Sequence, residues 1–286
     1  MAAQSGRLAV ISTPIGNLGD LSPRAREELA AAELVAAEDT RRTGQLLTTL
    51  GLSRPLLSLH EHNEGERIGE LLTKLRAGMR IALVSDAGTP LLSDPGFELV
   101  RRVTQEGMPV VAVPGPSAIT AALSIAGLPT ERFTFEGFLP ARLAERRARI
   151  AELKAETRTL VFFEAPHRIA ECLEDMAAGF GPDRRAAVAR ELTKVFETVY
   201  RGSLAELATQ AQGDANFSRG EITMVVEGAP RASAEDAPRA ELDHTLSVLL
   251  TELSPSKAAA LAARLTGARR NDAYARALEL AKPVTP

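Results

Sequence analysis

Short apolar runs alternate with stretches of helical periodicity along residues 7–228. The runs are continuously apolar rather than alternating, which is typical of strands in a parallel sheet covered by helices on both faces. Ser22 followed by Pro23 is a helix-start signal, and the apolar spacing that follows continues that helix. The pattern predicts an open α/β sheet in the first half and a mixed α/β sheet in the second. Strands are predicted at Leu8–Ser12, Leu34–Ala37, Leu56–Leu59, Ile81–Ser85, Val110–Val113, Phe133–Phe138, Leu160–Phe163, Ala186–Ala189, Val195–Tyr200 and Ile222–Val226.

The chain is predicted to divide into four parts. Residues 1–116 form an N-terminal α/β domain and residues 117–228 a second one. Residues 229–240 are rich in Ala, Pro and charge, which is typical of a linker. Three short helical patterns within residues 241–286 predict a small C-terminal helical region, too small to be very stable unless it packs on something.

Composition supports a soluble globular protein. The 286 residues are 45% apolar and 25% charged, which excludes disorder as the main state. The net charge of −3 gives the whole protein no strong field for nucleic acid or an anionic membrane. No run approaches the roughly 18 apolar residues of a membrane span, so a cytoplasmic protein is expected. Cys172, the single cysteine, lies in an apolar helical pattern, which favours a buried inert thiol over a nucleophile.

Three loops directly follow apolar strands, at Ser12–Asp20, Ser85–Gly96 and Val113–Ala118. In open α/β sheets, ligands bind outside the carboxyl ends of the strands. The glycines and prolines of these loops allow backbone groups to approach a ligand closely. Neither the G-x-G-x-x-G dinucleotide motif nor the P-loop motif is present. The loops therefore predict a ligand held mainly by backbone contacts.

A resemblance to a known family is carried by these three loops and by four further segments, AEDTRRT, EGFLP, FFEAPHR and ARELTKVFE. In this order the segments resemble the ribosomal RNA small subunit methyltransferase I branch of the tetrapyrrole-methylase superfamily, over about residues 7–228 and in the tail. The resemblance implies an α/β fold with two α/β domains and a cofactor cleft between them. It implies methylation of the 2′-hydroxyl of a cytidine in the decoding region of 16S rRNA, with S-adenosyl-L-methionine as cofactor. It also implies a homodimer that acts on 16S rRNA, within the small ribosomal subunit.

The resemblance assigns cofactor contacts to the three loops and to two strand ends of the second domain. The implied residues are Pro14, Ser85, Asp86, Ala87, Gly88, Leu91, Leu92, Ser117, Ala118, Glu164 and Leu192. Relatives that methylate tetrapyrroles show a Gly-Asp-Pro-type turn where this chain has Asp86-Ala87-Gly88, and this departure matches the RNA-methylating branch. The alternative to cofactor binding by Asp86 is that its side chain caps the loop by hydrogen bonding to the loop's own backbone.

Methyl transfer to a hydroxyl needs alignment of the nucleophile and removal of its proton. The candidates for this chemistry follow strands of the second domain and are Glu164, His167, Glu191 and Lys194. A His or Glu would serve as general base. The alternatives are that His167 caps the helix after Pro166 and that Glu191 pairs with Arg190 or Lys194.

Two further polar clusters, residues 38–42 and 61–63, follow the second and third strands. They either line the substrate side of the cleft or serve as helix caps and solvated pairs. Asp39 with Glu61 or His62 matches no recognised ligand spacing, so no metal is predicted.

Positive charge is concentrated in two segments. Residues 140–158 hold six basic against three acidic residues, and residues 254–286 hold six against two. These patches suit contact with phosphates, although an Arg-rich helix is often simply a solvated face. The terminal helices have a weak helix-turn-helix pattern and could equally form a dimer contact. No aromatic-rich stretch for stacking on single strands is visible. The predicted RNA contacts are Arg142, Arg146, Arg147, Arg168, Arg269 and Arg270.

Two other functions stay open at this point. One is methylation of a tetrapyrrole, which the Asp-Ala-Gly turn and the scarcity of aromatic residues oppose. The other is a non-catalytic RNA-binding assembly factor, which the intact cofactor loops oppose.

Overall fold

The structure is a computed structural model that describes residues 6–60, 63–230 and 237–281. The chain divides into two compact units, Met1–Ala229 and Pro230–Pro286. No helix in the described ranges is both long enough and apolar enough to cross a membrane.

Five parallel strands form the first sheet. They are β1 (Arg7–Ile11), β2 (Leu34–Ala37), β3 (Leu56–Ser58), β4 (Arg80–Val84) and β5 (Val110–Val113). Their order across the sheet is β3-β2-β4-β1-β5. The loops after β1, β4 and β5 therefore leave neighbouring strands at the same edge of the sheet.

Four helices cover this sheet on both faces. They are α1 (Pro23–Ala31), α2 (Thr40–Thr49), α3 (Glu64–Arg76) and α4 (Phe97–Gln105). α1 and α2 bury Leu29 and Leu47 with one face, whereas α3 and α4 bury Leu71 and Leu99 with the other. The predicted start of α1 is confirmed, since the Ser22 hydroxyl accepts a hydrogen bond from the Ala25 amide at 3.1 Å.

The second sheet is mixed and also has five strands. They are β6 (Phe133–Phe138), β7 (Thr159–Glu164), β8 (Arg185–Arg190), β9 (Thr198–Ser203) and β10 (Ile222–Val226). The order is β6-β7-β10-β8-β9, in which β6 and β7 are parallel and the other neighbours are antiparallel. The predicted α/β class, with one parallel and one mixed sheet, is confirmed.

Helices also cover both faces of the second sheet. They are α5 (Ala118–Ala126), α6 (Leu143–Leu153), α7 (Ile169–Phe180) and α8 (Leu204–Gly213). α5 packs on the face that carries Val161 and Val225, and the other three bury the opposite face around Phe162. α5 therefore belongs to the core of the second sheet. This position agrees with a domain boundary between residues 116 and 117, which stays a prediction.

One predicted strand begins later than expected. The apolar pair Val195 and Phe196 was predicted to start a strand, but β9 begins at Thr198. The two side chains lie in the β8–β9 loop, 94% and 70% exposed. Glu191 and Thr193 have positive φ in this loop, and these left-handed residues end the extended conformation.

Within residues 237–281 the second unit contains three helices, α9 (Ala237–Leu249), α10 (Pro255–Thr266) and α11 (Arg270–Leu280). Their common core consists mainly of alanines, such as Ala262 and Ala277, with Leu246 fully buried. The small residues allow close approach of the helices. Of the predicted linker, residues 231–236 lie outside the described ranges and residues 237–240 belong to α9.

Candidate functional site

The three glycine- and proline-containing loops of the first sheet are hydrogen-bonded to each other. The Thr89 hydroxyl lies 2.9 Å from the Ser12 hydroxyl and donates to the Pro116 carbonyl at 3.1 Å. Thr13 and Gly88 exchange two backbone hydrogen bonds of 2.8 and 3.0 Å. The loops after β1, β4 and β5 therefore form one connected surface at the carboxyl edge of the sheet.

Gly88 is required at this junction. Its φ of +78° is a conformation that L side chains rarely adopt, and a Cβ there would lie 3.3 Å from Ile15 Cγ2. The backbone of the loop can thus come close to whatever occupies the neighbouring space.

A cavity of about 420 Å³ lies against these loops, between residues of the first and second sheets. Most of the predicted cofactor residues line it. These are Asp86, Ala87, Gly88, Leu92, Ser117, Ala118, Glu164 and Leu192.

The other three predicted cofactor residues do not line the cavity wall. Ser85 is buried, and its hydroxyl donates to the Ala87 carbonyl at 3.3 Å. Leu91 has a φ of +75° and packs against the first-sheet core, while Pro14 is half-buried in the β1 loop. A direct role in binding for these three remains a prediction, and their position favours support of the loops.

The cavity also contains residues that were not among the predicted contacts. Glu38 and Arg42 belong to the cluster after β2, and Asp94 belongs to the loop after β4, so a sequence signal existed for them. A stretch before and within β10 had no such signal, since nothing local marks it as part of a site. The added lining residues are Ile15, Glu38, Arg42, Thr89, Asp94, Ile119, Phe138, Phe163, Ala165, Pro166, Gly220, Glu221, Ile222 and Thr223.

One end of the cavity carries several carboxylates. The Asp86 carboxylate accepts a hydrogen bond from the Asp39 amide at 2.9 Å, and Arg42 lies 3.4 Å from its other oxygen. Burial raises the pKa of Asp94 to about 6; the charges of Glu38 and Asp86 add to the rise, and a hydrogen bond with Ser85 opposes it. Asp94 therefore exchanges its proton near neutral pH.

Glu164 is a buried carboxylate at the end of β7. One oxygen accepts from the Ala165 amide at 2.8 Å, and Arg168 lies 3.3 Å from it. Among the described residues the other oxygen, Oε2, has no N–H or O–H donor. Burial raises the pKa of the Cys172 thiol, and the Glu164 charge raises it further. Cys172 is thus the buried, protonated thiol that the sequence predicted.

The other predicted catalytic residues are not part of the cavity wall, although Lys194 contacts Glu221, which is. Lys194 donates to Glu191 at 2.8 Å and to Glu221 at 3.1 Å. The hydrogen bond from Lys194 lowers the pKa of Glu191; burial alone would lower the pKa of Lys194, but its two carboxylate partners raise it overall. His167 is exposed in the short 3-10 turn Pro166–Arg168. Of the four predicted residues, the structure places Glu164 in the cavity wall.

A glycine, Gly220, allows the Glu191 side chain to pack closely against the backbone beside the Glu191–Lys194 ion pair. Gly220 has a φ of +79°, and a Cβ there would lie 2.4 Å from the Glu191 carboxyl group. Glu191 itself has a φ of +53°, a strained value for a residue with a side chain. The loop that carries Leu192 into the cavity is held beside β10 through Glu221, whose amide donates to Glu191 Oε1 at 2.9 Å and whose carboxylate accepts from Lys194 at 3.1 Å.

One predicted RNA contact, Arg146, is buried in an ion pair. Its side chain is 3% exposed and lies 2.7 Å from the Asp175 carboxylate, so no face remains for a phosphate. Arg168 is also largely engaged, since it donates to the Leu139 and Pro140 carbonyls at 2.8 and 3.1 Å.

The remaining predicted RNA contacts are accessible. Arg142 and Arg147 are exposed, although they pair with Glu145 and Asp175. The whole Arg-rich segment 140–158 thus presents less free charge than its residue count suggests. Arg269 and Arg270 begin α11 and are exposed.

No set of three or more potential metal ligands of the His, Cys, Asp or Glu type comes together within the described ranges. Glu61 and His62, the other residues weighed as metal ligands with Asp39, lie outside those ranges. The absence of a metal therefore stays a prediction.

Comparison with known proteins agrees with this geometry. Residues 7–208 match the family described as "Tetrapyrrole (Corrin/Porphyrin) Methylases", and residues 236–281 match the "RsmI C-terminal HTH domain". Among solved structures, the methyltransferase CobJ superposes with a TM-score of 0.59 at 18% identity, covering 79% of this chain and 95% of that chain. A uroporphyrin-III-C-methyltransferase from Thermus thermophilus superposes at 0.55 with 21% identity, covering 78% and 94%. At these low sequence identities, the two structures show that this chain shares their fold and nothing further.

Curated relatives are much more similar in sequence. A protein of Xylella fastidiosa named "Ribosomal RNA small subunit methyltransferase I" is 54% identical over 94% of this chain and 98% of its own length. A protein of the same name from Pseudomonas aeruginosa is 51% identical over 96% and 98%. The chain therefore belongs to the tetrapyrrole methylase family and, within it, to the ribosomal RNA small subunit methyltransferase I group. It is a methyltransferase.

Proposed function

We propose that this chain transfers a methyl group from S-adenosyl-L-methionine to the 2′-hydroxyl of a cytidine in the decoding region of 16S rRNA. The observation that carries the proposal is the identity of about half of all residues, over nearly full length, with proteins named for methylation of the small-subunit ribosomal RNA. The cavity at the three connected loops supports it, because it offers a site for the cofactor.

The residues around the cavity fit that cofactor. Gly88 keeps the backbone open where a Cβ would crowd Ile15, and Glu164 Oε2 is a buried acceptor without an N–H or O–H donor in the described ranges. The carboxylates of Asp86 and Glu164 suit the cationic groups of the cofactor, and the amides at the start of α5, beside Ser117, suit its carboxylate. Apolar side chains such as Ile15 and Leu192 suit its adenine. When bound, S-adenosyl-L-methionine supplies a methyl group activated by a positively charged sulfur.

We assign the removal of the hydroxyl proton to Asp94. Its carboxyl group lines the cavity and has a pKa of about 6, so at pH 7 to 8 it is mainly ionised and able to accept a proton. Glu164 is the second candidate, since it lines the same cavity. Lys194 is disfavoured, because its ion pairs hold it protonated.

RNA contact is assigned to exposed arginines, above all Arg269 and Arg270 at the start of α11. The match of this region to a domain described as helix-turn-helix supports an RNA-facing role. We also propose a homodimer, an assembled small subunit as substrate, and hence a cytoplasmic location.

The decisive experiment is nucleoside mass spectrometry of 16S rRNA with and without the gene. We expect one 2′-O-methylcytidine to disappear without the gene and to return when it is supplied in trans. An unchanged nucleoside profile contradicts the proposed substrate. Sedimentation analysis of the purified chain tests the dimer separately.

Two controls separate the alternatives. Isothermal titration with S-adenosyl-L-methionine is expected to show binding, and a chain that binds none is not a methyltransferase of this kind but fits a non-catalytic assembly factor. Incubation with uroporphyrinogen and the labelled cofactor is expected to give no labelled tetrapyrrole, and labelled product would support the tetrapyrrole reaction.

A further inference from the structure

Phe138 is an exposed aromatic side chain in the wall of the cavity. It is 55% exposed, although it lines the cavity together with Phe163. Single exposed apolar side chains are common on protein surfaces, so what distinguishes Phe138 is its position in the wall of the cavity. Its ring contacts that of Phe163, and more than half of the side chain stays accessible to solvent.

A β-bulge puts Phe138 on this face. In the pairing of β6 with β7, Phe135 lies opposite Val161 and Phe138 lies opposite Phe163, with a register shift between Phe135 and Gly137. Residues 135 and 138 are three apart and would point to opposite faces of a regular strand. The one-residue bulge brings both to the face on which α5 packs, and bulges next to binding sites commonly redirect side chains in this way.

Gly137 makes the bulge possible. It has a φ of +66°, a conformation that favours glycine, and a Cβ there would lie 3.2 Å from the Ser93 hydroxyl. The loop after β4, which supplies Asp94 and Leu92 to the cavity, therefore lies directly against the bulge. Phe138 is fixed at the point where that loop meets the second sheet.

Three phenylalanines form a row on this face. The ring centroid of Phe163 lies 4.9 Å from that of Phe135 in an edge arrangement and 5.7 Å from that of Phe138 in a tilted one. Phe135 and Phe163 pack against the core, so the ring that Phe138 contacts is itself held in place. Phe138 is thus an aromatic platform that is backed by Phe163 and accessible to solvent.

We propose that Phe138 stacks on the nucleobase of the RNA nucleotide whose ribose enters the cavity. This inference rests on the proposed function. Every base has an apolar face that stacks on an aromatic ring, and such stacking needs an exposed ring rather than a buried one. The adenine of the cofactor is the competing occupant, and the more enclosed apolar wall around Ile15 and Leu192 suits it better.

The test compares Phe138→Ala, Phe138→Trp and the matched control Phe133→Ala. Phe133 is also partly exposed and lies on the same face of the same strand, but it is outside the cavity wall. Methylation is measured with small ribosomal subunits from a strain that lacks the gene, and RNA affinity is measured by filter retention without added cofactor. Cofactor affinity is measured by calorimetry with S-adenosyl-L-methionine.

We expect Phe138→Ala to weaken RNA affinity and kcat/KM for subunits by about tenfold, the loss of one stacked base. Cofactor affinity should stay within about twofold, since stacking energy is lost on the RNA side only. Phe138→Trp should restore most of the loss, and Phe133→Ala should behave like the unaltered chain. Equal RNA affinity of Phe138→Ala and the unaltered chain would contradict the stacking of Phe138 on an RNA base, and so would a loss confined to cofactor affinity.

If the unaltered chain methylates no subunits, the proposed function fails. The RNA affinities measured by filter retention still test the stacking role of Phe138 in that case.

Discussion

The guanidinium of Arg146 and the carboxylate of Asp175 form a buried ion pair at 2.7 Å, with side chains 3% and 4% exposed. The pair joins α6 to α7 beneath the second sheet. Arg147, the next residue, binds the other Asp175 oxygen at 2.7 Å but is 63% exposed. Burial would raise the pKa of Asp175, yet its two arginine partners lower it overall. Two adjacent arginines thus pair with the same carboxylate, Arg146 from the protein interior and Arg147 from the solvent-exposed surface.

This difference predicts different losses of stability. Arg146→Ala leaves the Asp175 carboxylate partly buried without its inner partner, and we expect the free energy of unfolding to fall by about 3–5 kcal/mol. Arg147→Ala removes an exposed partner and should cost about 1 kcal/mol or less. Urea unfolding followed by circular dichroism measures both values. Equal losses for the two variants would show that the burial of Arg146 has no energetic consequence.

The ion pair also shows why Arg146 is a poor candidate for RNA contact. A count of charges along residues 140–158 indicates a basic patch, but it does not indicate which charge is already neutralised by a residue distant in sequence. Asp175 lies 29 positions from Arg146, and the contact arises only when α6 packs against α7. The charge pattern of a helix therefore locates phosphate contacts only after its carboxylate partners are known.

The fold was largely predictable for a simple reason. Buried parallel strands are continuous apolar runs, and glycine, proline and Ser-Pro signals mark where they and the helices end. The exception at Val195 and Phe196 shows the limit. There the backbone conformation of Glu191 and Thr193, rather than hydrophobicity, decides where β9 begins.

The candidate site was predictable where the chain itself carries a signal. The three loops are turn-rich and follow apolar strands, and they do meet. Phe138 could not be recognised, because its orientation depends on a bulge that brings together phenylalanines from two strands. Gly220 and Glu221 could not be recognised either, since they reach the cavity only through the antiparallel pairing of β10 with β7.

Gly88→Ala is expected to reduce cofactor affinity, whereas Gly51→Ala is its control. Both glycines have φ near +70 to +78°, so both variants should lose about 1 kcal/mol of stability through backbone strain. A Cβ at Gly51 has nothing described within 4 Å, but one at Gly88 crowds Ile15 in the cavity wall. Calorimetry with S-adenosyl-L-methionine should show weaker binding by about tenfold for Gly88→Ala only. Equal affinities would remove Gly88 from the binding surface.

Glu191→Gln tests the role of the ion pair with Lys194. We expect the variant to bind S-adenosyl-L-methionine more weakly by several-fold, because loss of the carboxylate charge weakens the hydrogen bonds from Lys194 and from the Glu221 amide that hold the Leu192 loop beside β10. The pH profile of kcat should keep its shape, since Glu191 does not line the cavity and its pKa is already lowered. Initial rates measured between pH 5 and 9 with saturating cofactor provide the readout. Loss of the acidic limb of the profile would instead make Glu191 the proton acceptor.

Arg269→Glu together with Arg270→Glu should weaken RNA binding. Each phosphate contact contributes about 0.9 to the slope of log affinity against log salt concentration for duplexes and about 0.7 for single strands. Loss of two contacts should therefore reduce the slope by between about 1.4 and 1.8. Filter retention between 50 and 300 mM salt measures it. Arg276→Ala is the control, because Arg276 pairs with Asp243 at 2.6 Å and should affect stability rather than the slope. An unchanged slope for the double variant would assign Arg269 and Arg270 to structure.

Asp94→Asn should increase stability and decrease turnover in the same protein. The folded-state pKa of about 6 lies above the usual value of 3.8, so the folded chain retains a proton that the unfolded chain releases. The stability of the unaltered chain therefore falls as pH rises from about 4 to 6, and the variant avoids this loss. After discounting for partial exposure, we expect Asp94→Asn to be more stable by about 1 kcal/mol at pH 7.5, with no such gain below pH 4.

Activity should move in the opposite direction. If Asp94 accepts the hydroxyl proton, kcat of the unaltered chain rises with pH through about 6, and Asp94→Asn loses that rise together with about a hundredfold in kcat. Cofactor affinity, measured by calorimetry at pH 7.5, should change by less than about threefold, which separates proton transfer from binding. Glu164→Gln, measured alongside, tests the other carboxylate candidate in the cavity wall. Retention of full kcat by Asp94→Asn, with loss in Glu164→Gln, would transfer the proton-accepting role to Glu164.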